Sequence, residues 1–461
     1  MQVSRLMLIV VCMAAVMALM FGVPAVAQGP AAPTAQSAPA ATGASSAPAN
    51  SQEAYSLPPD KLAKAIAIGR IRNILSITGS IWGIVFLWIL LATRGWSGIE
   101  RWAQRISNRR WVQGLVFFAI YLVVSTFASL PLGWLGQHFE RAYGISVQGW
   151  GSWIGDEGKS LGMKLLIGIP LLLLFNWIVR RWPRRYWFGS WLVTLPILVL
   201  VIFVGPLLEP VFNKFEPLQK NYPALVTELE KVVARTGTNI PPDRMFLMKA
   251  SLKTNGLNAY VNGIGATKRI VVWDTTAGRV PNDEVLFIFG HESGHYVLNH
   301  VQKYLAIYTV GLFFVYWACA GFAAWMVKRF GENWGVTDFN HAEKNSSIGT
   351  ALASRTGFVV LLFAIAVVSF LLQPATNAIG RHYEHQADVY GQEAIHGIVP
   401  DPQKTTVAVW KDVGQAWLED PHPNPFIEFW LYSHPGIERR ANFAAHYDPW
   451  KDGGQGEFFK Q

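Results

Sequence analysis

Phe289-Gly290-His291-Glu292-Ser293-Gly294-His295 places two histidines four positions apart, with a glutamate directly after the first. Just upstream, Pro281-Asn282-Asp283-Glu284 starts a helix, with acidic residues in the first turn where the helix dipole favours them. Val285, Ile288 and Phe289 carry that helix into the string. Four residues advance a helix by about 400°, so His291 and His295 stack on one face, one turn apart. Two imidazoles at that spacing can share one tetrahedral zinc. Glu292 falls between them in angle, within reach of water at the metal. Zinc lowers the pKa of such water towards about 7, and a carboxylate can then take its proton. The alternative is a chance pattern on a polar helix face. Gly290 and Gly294 argue against a purely structural helix, since each weakens it by roughly 1 kcal/mol relative to Ala.

A catalytic zinc needs a third protein ligand and an open fourth position. A further histidine six residues after the second, with a glycine between, is ruled out: Leu298 stands where the glycine is needed and His300 comes one residue early. The better source is Asn377-Ala378-Ile379-Gly380-Arg381-His382-Tyr383-Glu384-His385-Gln386-Ala387-Asp388. On a helix, Glu384 and Asp388 share a face at i,i+4. Glu384 then completes the metal site, and Asp388 accepts the free N–H of a ligand histidine. A solvated acidic face is the other reading of this pair. His385 is a rival ligand, but it points about 100° away from Glu384.

The composition around these residues is that of a membrane protein. Of 461 residues, 51% are hydrophobic and only 15% charged, where a soluble chain carries about a quarter charged. The net charge of +9 does not signal nucleic acid, because the basic residues form knots between apolar runs, such as Arg180-Arg181 and Arg184-Arg185. The two cysteines, Cys12 and Cys319, both lie in apolar stretches and support neither a disulfide framework nor a cysteine metal site. Of 11 histidines, all but His138 follow residue 290, so histidine chemistry belongs to the second half.

A crossing requires about 20 apolar residues, and six stretches qualify: roughly 74–93, 111–131, 161–179, 188–208, 303–327 and 350–372. Residues 1–27 read as a secretory signal, with Arg5, an apolar core from Leu6 to Met20 and the small-residue site Ala25-Val26-Ala27. An uncleaved first helix is the alternative and would bring the crossings to seven. Residues 28–56, rich in Ala, Pro, Ser and Gly, form a flexible tether. The expected division is a four-span region 57–208, a first soluble piece 209–302, two spans within 303–372, and a second soluble piece 373–461. Arg94, Arg101, Arg105, Arg109 and Arg110 crowd the first loop and Arg180–Arg185 the third, which makes those loops cytoplasmic. Both soluble pieces then lie on the opposite face, the periplasmic side of a bacterial inner membrane.

In the first soluble piece, 244–249, 258–262 and 269–274 read as short strands, the last two joined as a hairpin through Gly263-Ile264-Gly265. With the HESGH helix, these residues resemble the type 1 CAAX prenyl protease family of membrane zinc metallopeptidases. Other parts of that resemblance are Arg381-x-x-Glu384-x-Gln386-Ala387-Asp388, Pro210-x-Phe212-Asn213-Lys214-Phe215-x-Pro217-Leu218, Asn258-Ala259-Tyr260, Arg269-Ile270-Val271, Ser433-His434-Pro435 and Glu438-Arg439. The likeness runs from Leu57 into the 440s.

The resemblance implies a mainly α, polytopic fold in which transmembrane helices surround a chamber, closed by a gluzincin-like zinc domain with a small β-sheet. It implies one zinc per chain on His291, His295 and Glu384, with Glu292 as base. It also suggests His434 as a group that stabilises the oxyanion, a role worth several kcal/mol for a well-aimed donor; a surface histidine near a turn is the structural alternative. Asn258, Ala259 and Tyr260 match the family's strand beside the cleft, where a peptide could add as a further strand, although a plain hairpin fits the same composition. Arg439 is a candidate partner for an active-site carboxylate, or a solvated helix charge.

The expected activity is endoproteolysis of a polypeptide in contact with membrane lipid, by metal-activated water. A zinc domain outside the cytosol would not meet prenylated CAAX proteins, since prenylation is cytosolic; membrane-associated, lipidated or misfolded polypeptides fit better. A catalytically silent binding protein or chaperone of the same fold would lack a ligand or the base, and all four residues are present. A transporter would carry its ionisable groups within the spans, whereas these cluster just outside them.

Overall fold

The computed structural model describes residues 54–336 and 348–460. The expected signal segment 1–27 and all of the tether before residue 54 lie outside the described residues. From the N-terminus run α1 (Pro59–Ala92), α2 (Gly95–Ile106), α3 (Arg110–Ala142), α4 (Trp150–Arg181) and α5 (Tyr186–Leu208). Then come β1 (Phe215–Pro217), α6 (Pro223–Thr236), β2 (Met245–Met248), β3 (Ala259–Asn262), β4 (Arg269–Trp273) and α7 (Asn282–Val297). The chain continues through α8 (His300–Phe330), α9 (Arg355–Ile395), α10 (Pro402–Trp417), α11 (Pro425–Leu431) and α12 (Ile437–His446).

The six expected crossings fall in α1, α3, α4, α5, α8 and α9, each long and apolar enough to span a bilayer. In α5 only 17% of the most apolar window is buried, and large apolar side chains such as Leu166, Leu207, Val310 and Trp317 point outward. Such a surface is stable only against lipid. The protein is therefore an integral membrane protein, mainly helical.

Several helices outrun the apolar stretches that marked them, because intrahelical hydrogen bonds persist wherever packing replaces lipid. The departure matters most in α9. Its start is set by Ser354, whose Oγ accepts from Gly357 N at 3.0 Å, so Ile348–Leu352 forms a separate short helix. The same helix then runs without a break past Pro374 to Ile395. One rigid rod thus carries both the last crossing and the residues Glu384 and Asp388. The basic end of that rod is anchored by buried Glu100 of α2, which accepts from Arg355 N at 3.0 Å and Thr356 N at 2.9 Å. A carboxylate there suits the positive end of the helix dipole. In α4 a π-helical turn at Lys164–Gly168 precedes Pro170, which has no N–H to give the preceding turn.

The sheet has the order β1-β2-β4-β3. The expected hairpin is present: β3 and β4 are antiparallel, with Ala259 opposite Val272 and Asn262 opposite Arg269. Gly263 has φ +93°, and a Cβ there would meet the Thr267 carbonyl oxygen at 1.9 Å, so only glycine fits the turn. β2 joins β4 in parallel and β1 joins β2 antiparallel. β1 escaped the sequence reading because three residues, one of them proline, offer no alternation. Along β3, Ala259 and Val261 enter the main core with Val285, Phe287 and Phe289 of α7, and β3 is one of the sheet's two edge strands, β1 being the other.

Candidate metal centre

Two helices make the site. A Cβ on Gly391 would approach the His291 backbone nitrogen at 2.8 Å, one on Gly294 would reach the Tyr390 ring at 3.0 Å, and one on Gly290 would meet the Gly391 carbonyl oxygen at 3.1 Å. The glycines that flank the histidines thus let α7 and α9 pack nearly backbone to backbone. That packing brings His291 and His295 opposite Glu384, all three buried.

His291 Nε2 lies 3.2 Å from His295 Nε2 and 3.4 Å from Glu384 Oε2, and His295 Nε2 lies 3.5 Å from Glu384 Oε1. Donors around a tetrahedral zinc with bonds near 2.0–2.2 Å stand roughly 3.3–3.6 Å apart. Two imidazole nitrogens and a carboxylate at these separations fit that ion. Among the described residues this is the one set of three donors so gathered.

The remaining ring nitrogens are held from behind. Asp388 Oδ1 lies 2.9 Å from His291 Nδ1, a charge contact at the back of the ring. Asp388 is itself gripped by Arg440 of α12, Nε to Oδ2 at 2.8 Å and Nη2 to Oδ1 at 2.6 Å. The Arg440 guanidinium lies 3.7 Å from the centre of the Trp410 ring, which closes that side of the site. Burial alone would lower the His291 pKa, but Asp388 and Glu384 more than reverse it, so the pocket favours a positive charge at that ring. Burial holds His295 well below the usual histidine range, leaving it neutral with a free lone pair. Burial also raises the Glu292 pKa, and at 1% exposure that carboxylate sits in a dry site.

His434 also reaches the centre, with Nε2 3.5 Å from Glu384 Oε2 and a position 4% exposed, and burial lowers its pKa to about 4. It is not a surface histidine. Its segment is tied to α9 by Asn377 Nδ2 donating to the Trp430 carbonyl and Arg381 Nη1 donating to the Tyr432 carbonyl, each at 2.7 Å. That explains Arg381 in the motif: it fixes the backbone from which His434 projects.

Other expected residues lie elsewhere. Arg439 forms an ion pair with Glu428; the guanidinium at the site is Arg440's, because neighbours on α12 point about 100° apart and only one faces α9. His385 is exposed and packs against the Phe443 ring, so it faces away from the centre. Tyr260 turns its hydroxyl to Glu209 Oε2 at 2.8 Å, beside Asn262 Nδ2 on Glu209 Oε1 at 2.6 Å and Arg269 Nη2 on Oε2 at 2.7 Å. Its side chain therefore braces β3 against the end of α5. Asn258 precedes β3, its backbone N–H on Thr276 Oγ1 at 2.7 Å, and Ala259 is a core residue. Sequence reasoning missed Arg440 and Trp410, and weighed His300 only as a third ligand, not as a partner of His295. None of them sits in a metal-binding spacing, and adjacent arginines carry no mark of which one turns inward.

Known proteins resemble this chain along most of its length. The profile of peptidase family M48 matches residues 219–448, and that of the CAAX prenyl protease N-terminal region, five membrane helices, matches residues 42–214. An uncharacterized metalloprotease, YhfN, of Bacillus subtilis is 31% identical over 392 residues, covering 84% of this chain and 86% of that protein. CAAX prenyl protease 1 of Saccharomyces cerevisiae is 25% identical over 336 residues, 71% of each chain. The crystal structure of S. mikatae Ste24p superposes with a TM-score of 0.70 at 23% identity, covering 84% of this chain and 89% of that one, which shows a shared fold. With the helices, the sheet and the family match in agreement, the chain belongs to peptidase family M48 and is an integral membrane zinc metalloendopeptidase.

Proposed function

We propose that His291, His295 and Glu384 hold one zinc ion, that Glu292 is the general base and that His434 assists at the oxyanion. The single observation that carries this reading is the convergence of the three donors at 3.2–3.5 Å. A bound zinc would polarise the scissile carbonyl and make water acidic enough to lose a proton near neutral pH. The Glu292 carboxylate takes a proton from the attacking water and passes it to the departing amine nitrogen. Its buried setting, which raises its pKa, suits a group that must hold and then release that proton. His434, neutral by burial, offers an N–H to the oxygen on which negative charge develops. Asp388 and Arg440 keep the His291 ring in register. As an edge strand of the sheet, packed against α7, β3 is placed to take an extended peptide by strand addition. Ala259 would contribute backbone groups there, Asn258 is tied to Thr276 at the start of the strand, and Tyr260 positions the strand.

The zinc domain, made of 209–302 and 373–461, lies on the periplasmic face of a bacterial inner membrane. Supporting this, the basic residues gather at the far end of the bundle, where Arg355 Nη2 donates to the Arg110 carbonyl and Arg94 Nε to the Asn333 carbonyl. Polypeptides lying in or on the bilayer, misfolded or lipid-bearing, are the substrate class that this position favours. The test is to purify the protein, measure zinc, and compare cleavage of an unfolded polypeptide by wild type and Glu292→Gln. The variant should keep its zinc and lose about 10²–10⁴-fold in rate; equal rates would end the hydrolytic reading.

A further inference from the structure

His300 stands at the first position of α8 and is 1% exposed. Its Nδ1 lies 3.0 Å from His295 Nδ1, and its Nε2 lies 3.0 Å from Gln386 Oε1. Tyr383 stacks on its ring, with centroids 4.5 Å apart and planes 27° apart. Three side chains from three helices (α7, α8 and α9) thus form one hydrogen-bonded row that ends at the candidate metal centre.

We infer that His300 and Gln386 are positioning residues that select the tautomer of His295. The inference rests on the zinc reading above, and the protons along the row follow from it. His295 can bind a metal through Nε2 only if its proton is on Nδ1. That N–H donates to His300 Nδ1, which must then be the unprotonated nitrogen. The His300 proton is therefore on Nε2 and donates to Gln386 Oε1, an amide oxygen that can only accept. Turned the other way, with a donor from Gln386 facing His300, the row would put the proton of His295 on Nε2 and block it. The carboxamide oxygen at one end thus sets the lone pair at the other. Asp388 and Arg440 do the same for His291, so each ligand histidine has its own buried support.

The experiment uses the full chain purified in detergent, with zinc affinity read by competition against a chromophoric chelator. Gln386→Leu keeps the shape and removes the acceptor, and should weaken zinc binding by about tenfold or more. Gln386→Glu keeps an acceptor oxygen at the same reach and should stay within about threefold of wild type. His300→Phe keeps the stack on Tyr383 without either nitrogen and should resemble Gln386→Leu. Wild-type affinity in Gln386→Leu and His300→Phe would overturn the proposal. So would an equal loss in Gln386→Glu and Gln386→Leu, because the role would then be packing alone. A wild-type protein that takes up no zinc, tested alongside, would instead remove the metal reading itself.

Discussion

Arg440 grips Asp388 with two hydrogen bonds, at 2.8 and 2.6 Å, and Asp388 passes that grip to His291 Nδ1 at 2.9 Å. The pair is buried on both sides, so its loss cannot be compensated by water. Replacing Arg440 by Met should destabilise the protein by about 3–5 kcal/mol, because it strands a buried carboxylate. Arg440→Lys keeps the charge but not the fork, and should weaken zinc binding by about tenfold while sparing much of the stability. Thermal unfolding and zinc titration of the two variants separate these effects; a Lys variant with wild-type affinity would mean that the fork does not orient His291.

The close approach of α7 and α9 makes a second prediction. Gly391→Ala puts a methyl 2.8 Å from the His291 backbone nitrogen, which belongs to a helix and cannot swing aside. The two helices must part, at a cost of about 1–3 kcal/mol. The shift moves His291, a proposed zinc ligand, so zinc content should fall together with the unfolding temperature. An alanine variant with full zinc and unchanged stability would show that the helices have room to spare.

Glu284, at the start of α7, has its pKa raised from 4.5 to about 8 by burial, with Asp412 and Asp283 adding to the shift. The folded state therefore binds this proton more tightly than the unfolded chain does. Its contribution to stability is complete below the unfolded value of 4.5 and is lost as the pH rises through about 8. Glu284→Gln keeps the neutral shape at every pH. The variant's unfolding temperature should gain on wild type as the pH rises across that window. A constant difference would contradict the assignment.

Sidedness is open to direct measurement. A reporter active only after export, inserted in α6 (Pro223–Thr236), should be active, and the same reporter in the 94–109 loop should be silent. The reverse pattern would place the metal centre in the cytosol and restore prenylated proteins as candidate substrates.

Local chemistry alone determined much of this protein. Apolar length marked all six crossings, a four-residue histidine spacing marked α7, and a pair of acids four apart marked the part of α9 that meets it. These features are legible because a helix imposes its own period on any side chain it carries. What only the tertiary structure decided was partnership between distant segments. Nothing local distinguishes Arg440 from Arg439, gives His300 its place behind His295, or turns Tyr260 to Glu209. Those outcomes depend on which face of each helix or strand is buried and on the near-contact of α7 and α9 that Gly290, Gly294 and Gly391 permit. Packing of that kind is a property of the assembled chain, since a side chain's partner there is set by distance in space and not by position along the sequence.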